Sequence, residues 1–349
     1  MAESKRVFIA YTGGTIGMRL SDQGWVPEEG FLEAAMRRVP VFSDGRVPSW
    51  DLVEFHPLLD SASIAPRDWI KIARAIRERY DDYDGFVVLH GTDTMAYTAS
   101  ALAFMLEGLG KPVILTGSQI PLCEARNDAQ DNLVTSILLA GLYPIPEVCL
   151  YFHSKLLRGC RSVKVDSEGF AAFDSPNLPP LGVSGTEIEI DWRRVRPPGS
   201  SGFSVHESLD TAQGVLWLFP GITGEIVRNF LAPPLRGVVL QAFGVGNGPA
   251  NDADFLAALH EARDRGVVLV DCTQCLRGGV HLGDYATGSA MAEAGAVSGH
   301  DMTPEAALTK LFFLFGQGHT PAEVEELVQR DLRGELTLPV ASGPEPATD

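Results

Sequence analysis

Short, wholly apolar runs alternate along this chain with longer segments of helical spacing, and no other feature limits its fold so strongly. The runs are Val7 to Tyr11, Phe86 to Leu89, Val113 to Thr116 and Val148 to Phe152. Between them, Pro66 to Tyr80, Ala96 to Glu107 and Ala129 to Ala140 place apolar residues at helical intervals, as with Trp69, Ile72, Ala73 and Ile76. Strands this short and this apolar are buried on both faces, so the pattern predicts βαβ units and a mostly parallel sheet covered by helices. Gly108 and Gly141 are expected to close the second and third helices. Arg158 to Phe173, with shorter and more polar runs, reads as a hairpin at the sheet edge.

The composition shifts between about Asp191 and Gln213, where Arg193 to Gly202 is charged and rich in proline and glycine. A linker over 191–213 is expected there. It separates a larger N-terminal α/β domain (1–190) from a smaller C-terminal α/β domain (214–349). In the second domain, Gly214 to Phe219, Gly237 to Phe243 and Val267 to Thr273 read as strands. Glu225 to Leu231, Asp252 to Arg265, Pro304 to Phe315 and Pro321 to Gln329 read as helices. A length of 349 residues suits two domains, since single cores rarely grow past about 250 to 300 residues. The small, polar tail from Ala341 is expected to be mobile.

A net charge of −17 argues against nucleic acid or an anionic membrane as a partner, because both demand a basic footprint. The apolar run before Thr12 is only five residues long, too short for a secretory signal, and cleavage would remove the first motif described below. The expected compartment is the cytoplasm. Five cysteines (Cys123, Cys149, Cys160, Cys272 and Cys275) without framework spacing suit a reducing environment. Cys272 and Cys275 form a CxxC, but with no second pair the simpler reading is the end of a buried strand.

Two turns at strand carboxyl ends carry the chemistry. Thr12-Gly13-Gly14-Thr15-Ile16-Gly17 offers backbone amides for an oxyanion and, in Thr15, a hydroxyl nucleophile. His90-Gly91-Thr92-Asp93-Thr94-Met95 adds hydroxyls and a carboxylate suited to an amino acid's charged groups. His90 reads as a hydrogen-bonding support rather than a metal ligand. Lys164, in the apolar run Val163 to Val165, is a proton acceptor if its surroundings desolvate it. Each string alone has a plainer reading: a strand-to-loop turn, a helix cap, and a surface lysine at a sheet edge.

Together, TGGTIG and HGTDTM resemble the two signatures of bacterial-type L-asparaginases, and the chain is similar to their cytoplasmic type I branch. Supporting stretches run nearly end to end, among them Thr116-Gly117-Ser118-Gln119-Ile120-Pro121, Ser175 to Pro180 and Tyr285-Ala286-Thr287-Gly288. The resemblance implies that Thr15 attacks the side-chain amide carbon of L-asparagine, giving an aspartyl enzyme and ammonia. It implies that Thr92 helps activate or position water, that Lys164 accepts the Thr92 proton, and that Asp93 holds the substrate ammonium. Asp60, Ser61 and Ala62 match the family's substrate-binding turn, with Ser61 on the α-carboxylate and Asp60 beside the amino group. A homodimer or homotetramer (a dimer of dimers), with sites at subunit contacts and no metal or organic cofactor, is also implied.

The chain departs from the family pattern in two places. Where relatives carry a tyrosine on the loop after the first motif, this chain has Trp25, whose indole N–H is no base. Tyr285 is the candidate to activate Thr15 instead, leaving Trp25 as a lid. An effector pocket for a second asparagine, known in some type I enzymes, maps to Gln241, Thr273, Gln274 and Cys275. There Gln241 replaces an arginine and Val163 a polar residue, which predicts weak or absent allosteric activation. The alternatives are an ammonia-supplying subunit of a tRNA-dependent amidotransferase and a non-catalytic asparagine sensor.

Overall fold

The computed structural model describes residues 5–22, 24–283 and 285–338; the tail from Ala341 lies outside them. The larger sheet has eight strands, in the order Ile188–Ile190, Gly182–Ser184, Lys155–Arg158, Val148–Phe152, Val113–Thr116, Gly85–Leu89, Arg6–Gly13 and Ser49–Leu59. The last five are parallel to one another, and the other three join antiparallel. Counted along the chain, the parallel strands lie in the order 2-1-3-4-5. The order therefore reverses between Arg6–Gly13 and Gly85–Leu89, and open α/β sheets bind ligands at the carboxyl ends of such a pair. Both sequence motifs leave the sheet at this point.

Alternate residues of each strand serve opposite faces. Phe8, Val88 and Leu115 pack with Trp69, Ile72, Ile76 and Leu102 from the helices Pro66–Arg77 and Met95–Met105. Ile9, Val87 and Ile114 pack with Leu32, Met36, Leu133 and Ile137 from Phe31–Arg38 and Ala129–Leu142. Burial of each such large side chain contributes about 1.5 to 3 kcal/mol, so the sheet is a rigid base for the turns above it.

The smaller domain has a four-stranded parallel sheet in the order Gln213–Trp217, Gly237–Ala242, Val268–Thr273 and Ala296–Ser298. Its helix Pro304–Gly316 lies against Met95–Met105, with Phe313 stacked on Phe104 at 5.9 Å. The end of the described chain crosses back to the larger domain. Arg161 ion-pairs with Asp301 and donates to the Glu335 carbonyl at 2.8 Å. Lys310 and Glu335 form a fully buried pair beneath that segment.

Four expectations need correction. Ser49–Leu59, an edge strand, went unread because its half-buried residues alternate with polar ones and it contains Pro57. Neither glycine closes its helix: Met95–Met105 ends three residues before Gly108, and Ala129–Leu142 runs through Gly141. A Cβ there would lie 2.6 Å from Pro48 Cγ, so the glycine permits close packing instead. The expected edge hairpin is a separate ladder in which Val163–Lys164 pairs with Phe173–Asp174. Part of the expected linker is ordered against the body: Ser204–Val205 pairs with Leu106–Glu107, and Phe203 stacks on Tyr80 at 3.7 Å.

Candidate active site

Three turns meet above the reversal point in close contact. After Arg6–Gly13, Gly14 takes φ +90 and leads into the short 3-10 turn Thr15–Gly17. A Cβ on Gly14 would lie 2.5 Å from the Gly91 nitrogen, and one on Gly91 would lie 2.5 Å from Ser61 Oγ. Only glycine tolerates these approaches. The turns bearing Thr15, Ser61 and Thr92 are therefore in direct contact. Thr12 Oγ1 donates to the Leu89 carbonyl at 2.9 Å and ties the two strand ends together.

The hydroxyls of the second motif serve the site rather than the helix. Thr94 is the N-cap of Met95–Met105, yet its side chain makes no capping bond. It donates to the Ser61 carbonyl at 2.8 Å and holds the substrate-turn candidate in place. Ser61 is buried, and Asp60 Oδ1 accepts from the Ala62 amide at 3.0 Å.

His90 is fully buried, and burial lowers its pKa to about 4, leaving a neutral ring. Its Nδ1 lies 2.6 Å from the Gly91 carbonyl and must donate to it, so Nε2 accepts from Thr98 Oγ1 at 2.8 Å. Thr98 in turn accepts from the Trp69 indole at 2.9 Å. This chain of bonds sets the orientation of the Gly91 peptide.

Lys164 does not sit at the sheet surface. The Val163–Lys164 ladder carries its Nζ to 2.9 Å from Thr92 Oγ1 and 2.7 Å from Asp93 Oδ1. The lysine side chain is 21% exposed and that of Asp93 is 60% exposed, so the carboxylate has a face open to an incoming ligand. The hairpin Met18–Ser21 and Gly24–Pro27 follows the Thr15 turn and carries Trp25, exposed. Gln23 is outside the described residues.

Sequence reasoning passed over Gln119, although it follows the next parallel strand as the motifs follow theirs. Its Oε1 is 3.4 Å from Thr92 Oγ1. Tyr285 belongs to the smaller domain, at the start of the helix Ala286–Glu293, and is exposed. Its hydroxyl has no hydrogen-bond partner among the described residues, Thr15 included. Thr15, Ser61, Thr92, Asp93 and Lys164 are thus brought together within one chain, and Tyr285 is not joined to them.

The candidate effector residues also converge. Gln241, Thr273, Gln274 and Cys275 line a cavity of about 250 Å³ together with Val163, the neighbour of Lys164. Among its lining residues there is no lysine, arginine or histidine. Cys272 lies in the core and Cys275 is exposed, both as free thiols.

A doubly built α/β chain with this threonine-lysine cluster belongs to the asparaginase family. Residues 6–196 match the model described as "Asparaginase, N-terminal", and 214–328 match "Glutaminase/Asparaginase C-terminal domain". The chain is 50% identical over 335 residues to L-asparaginase 1 of Escherichia coli K12, covering 96% of this chain and 99% of that protein. The crystal structure of L-asparaginase I from Vibrio cholerae superposes with a TM-score of 0.90 at 49% identity, over 96% of this chain and 100% of that one. A glutamyl-tRNA(Gln) amidotransferase component from Aeropyrum pernix is more distant, at 35% identity over 95% of this chain and 80% of the relative.

Proposed function

We propose that this protein hydrolyses the side-chain amide of L-asparagine to L-aspartate and ammonia. The observation that carries this reading is the meeting of Thr15, Ser61, Thr92, Asp93 and Lys164 at the reversal point of the sheet. The near full-length similarity to E. coli L-asparaginase 1 supports the same substrate, and favours it over ammonia supply to a tRNA-linked amidation.

In the proposed reaction the Thr15 oxygen attacks the amide carbon and the carbon–nitrogen bond breaks. Ammonia leaves with the Thr15 proton, and an aspartyl ester remains. Water then attacks the ester carbon, the bond to Thr15 breaks, and the proton returns to the threonine. Backbone amides at Gly13 and Gly14 are suited to the transient oxyanion, where one donor typically contributes about 2.7 to 4 kcal/mol. Thr92 positions the water, and Lys164 accepts the Thr92 proton. Ser61 takes the α-carboxylate, while Asp93 and Asp60 take the ammonium.

Among the described residues no base is hydrogen-bonded to Thr15, and the exposed Tyr285 hydroxyl is free to serve that role in a second copy. A homodimer or a dimer of dimers, with each site completed across a subunit contact, fits this arrangement. Trp25 acts as a lid that excludes water. No described helix is long and apolar enough to cross a membrane, and we place the protein in the cytoplasm.

The test is ammonia release from L-asparagine and L-glutamine over a wide concentration range, beside Thr15→Ala. Release that needs Thr15 supports the reading; release that survives Thr15→Ala refutes the nucleophile assignment. A folded wild type that binds asparagine without turnover would instead indicate a sensor. The asparagine curve should be hyperbolic, because the cavity at Gln241 lacks a cation to clamp a carboxylate. A sigmoidal curve abolished by Cys275→Ala would overturn that point.

A further inference from the structure

Gln119 lies just beyond the strand Val113–Thr116, and its carboxamide bridges two parts of the site. Nε2 donates to the carbonyl oxygens of Ser167, at 3.3 Å, and Gly169, at 3.1 Å. Both partners are pure acceptors, so the nitrogen faces them and the oxygen faces away. That oxygen is the atom 3.4 Å from Thr92 Oγ1. The Gln119 and Ile120 amides donate to the Asp128 carboxylate at 2.9 and 3.0 Å, so the side chain springs from a fixed base. Across from it, Asp166 Oδ1 accepts from the Glu168 and Gly169 amides at 2.8 and 2.9 Å, folding the loop after Lys164 into a compact turn.

Thr92 has one proton to give. Lys164 Nζ donates to both Thr92 Oγ1 and Asp93 Oδ1, so it does not take that proton in this arrangement. The Thr92 proton then has Gln119 Oε1 as its acceptor. In the proposed reaction that proton must pass to Lys164. Rotation about the Thr92 Cβ–Oγ1 bond carries it from one partner to the other with no heavy atom displaced.

We propose that Gln119 is a positioning residue for Thr92. It holds the hydroxyl proton at rest, keeps the oxygen in line with Lys164, and fastens the 167–169 loop beside them. This inference rests on the reading of Thr92 and Lys164 as the proton-handling pair. A glutamine that only fastened the loop would act equally with or without the Thr92 hydroxyl.

The variant Gln119→Met keeps length and bulk and removes the amide. With L-asparagine, kcat should fall about ten- to hundredfold, the cost of small misplacements at a reacting centre. KM should change less than about threefold, because Asp60, Ser61 and Asp93 are untouched. In a Thr92→Val background the same change should cost no further kcat, as expected for residues that act as one unit. Gln119→Glu keeps an acceptor toward Thr92 and gives up only the loop contacts. It should retain several-fold more kcat than Gln119→Met. If circular dichroism shows Gln119→Met unfolded, Gln119→Ala takes its place in the same cycle. An unchanged kcat, a loss confined to KM, equal losses in the Glu and Met variants, or the same fractional loss in Thr92→Val overturns the assignment. A wild type that releases no ammonia removes the amidohydrolase reading itself, a separate and distinguishable result.

Discussion

Asp271 should make the folded protein less stable as pH rises, and Asp271→Asn should remove that dependence. The residue sits on Val268–Thr273 between Leu240 and Ser298 of the adjacent strands. It is fully buried, and neither carboxyl oxygen has a hydrogen-bond partner. Burial raises its pKa from 3.8 to about 8, so the folded protein keeps the proton near neutrality while the unfolded chain loses it. The group therefore disfavours folding progressively as pH rises above 3.8, with the effect levelling off above the folded value. At about 1.4 kcal/mol per pH unit, the linked cost is of order 4 kcal/mol at pH 7, about 2 kcal/mol more than at pH 5.5. Asparagine has nearly the same shape and no proton to lose, so it recovers this pH-dependent part. Thermal unfolding of both proteins at pH 5.5, 7 and 8.5 would measure it, away from the isoelectric point near 4.9. The advantage of Asp271→Asn should grow from pH 5.5 to 8.5, by roughly 5 °C or more on a scale of about 2 to 4 °C per kcal/mol. A difference that does not change with pH would refute a buried neutral carboxyl.

Two further changes probe how the site is held. Lys310→Met leaves the buried Glu335 carboxylate without its cation and frees the carbonyl of Val328, 2.9 Å from Nζ. Urea unfolding should show a loss of about 3 to 5 kcal/mol; a loss under about 1 kcal/mol would mean the pair is not desolvated. Gly14→Ala forces a methyl group into the Gly91 backbone. It should abolish ammonia release even if the protein stays folded, and activity within threefold of wild type would show that the two turns are not in contact.

Much of the architecture was legible because it is local. A run such as Val7 to Tyr11 is apolar at every position since it is covered on both faces, and the threonine turns follow directly from it. The CxxC, read as a strand end, has Cys272 in the core of Val268–Thr273. Where residues answer to distant neighbours, local reasoning failed. Thr94 looked like a helix cap, but the Ser61 carbonyl 33 residues away takes its hydroxyl. Gly141 looked like a helix end, but Pro48 needs its missing side chain.

Local patterns specify most of the elements, the strand ends that carry hydroxyls and carboxylates, and the chemistry open to those groups. Which groups bond to one another is settled by packing. Lys164 and Thr92 are separated by 72 residues, and a lysine in an apolar run looks alike on a surface or in a site. Its placement depends on the ladder with Phe173–Asp174 that brings Nζ to Thr92 and Asp93. The place of Gln119 after a parallel strand is legible locally, but its bonds are not, because both ends of its carboxamide are satisfied by residues 27 or more positions away. Periodicity and turn chemistry are written within a few residues, whereas hydrogen-bond direction is set by whichever donors and acceptors the packed sheets bring into range.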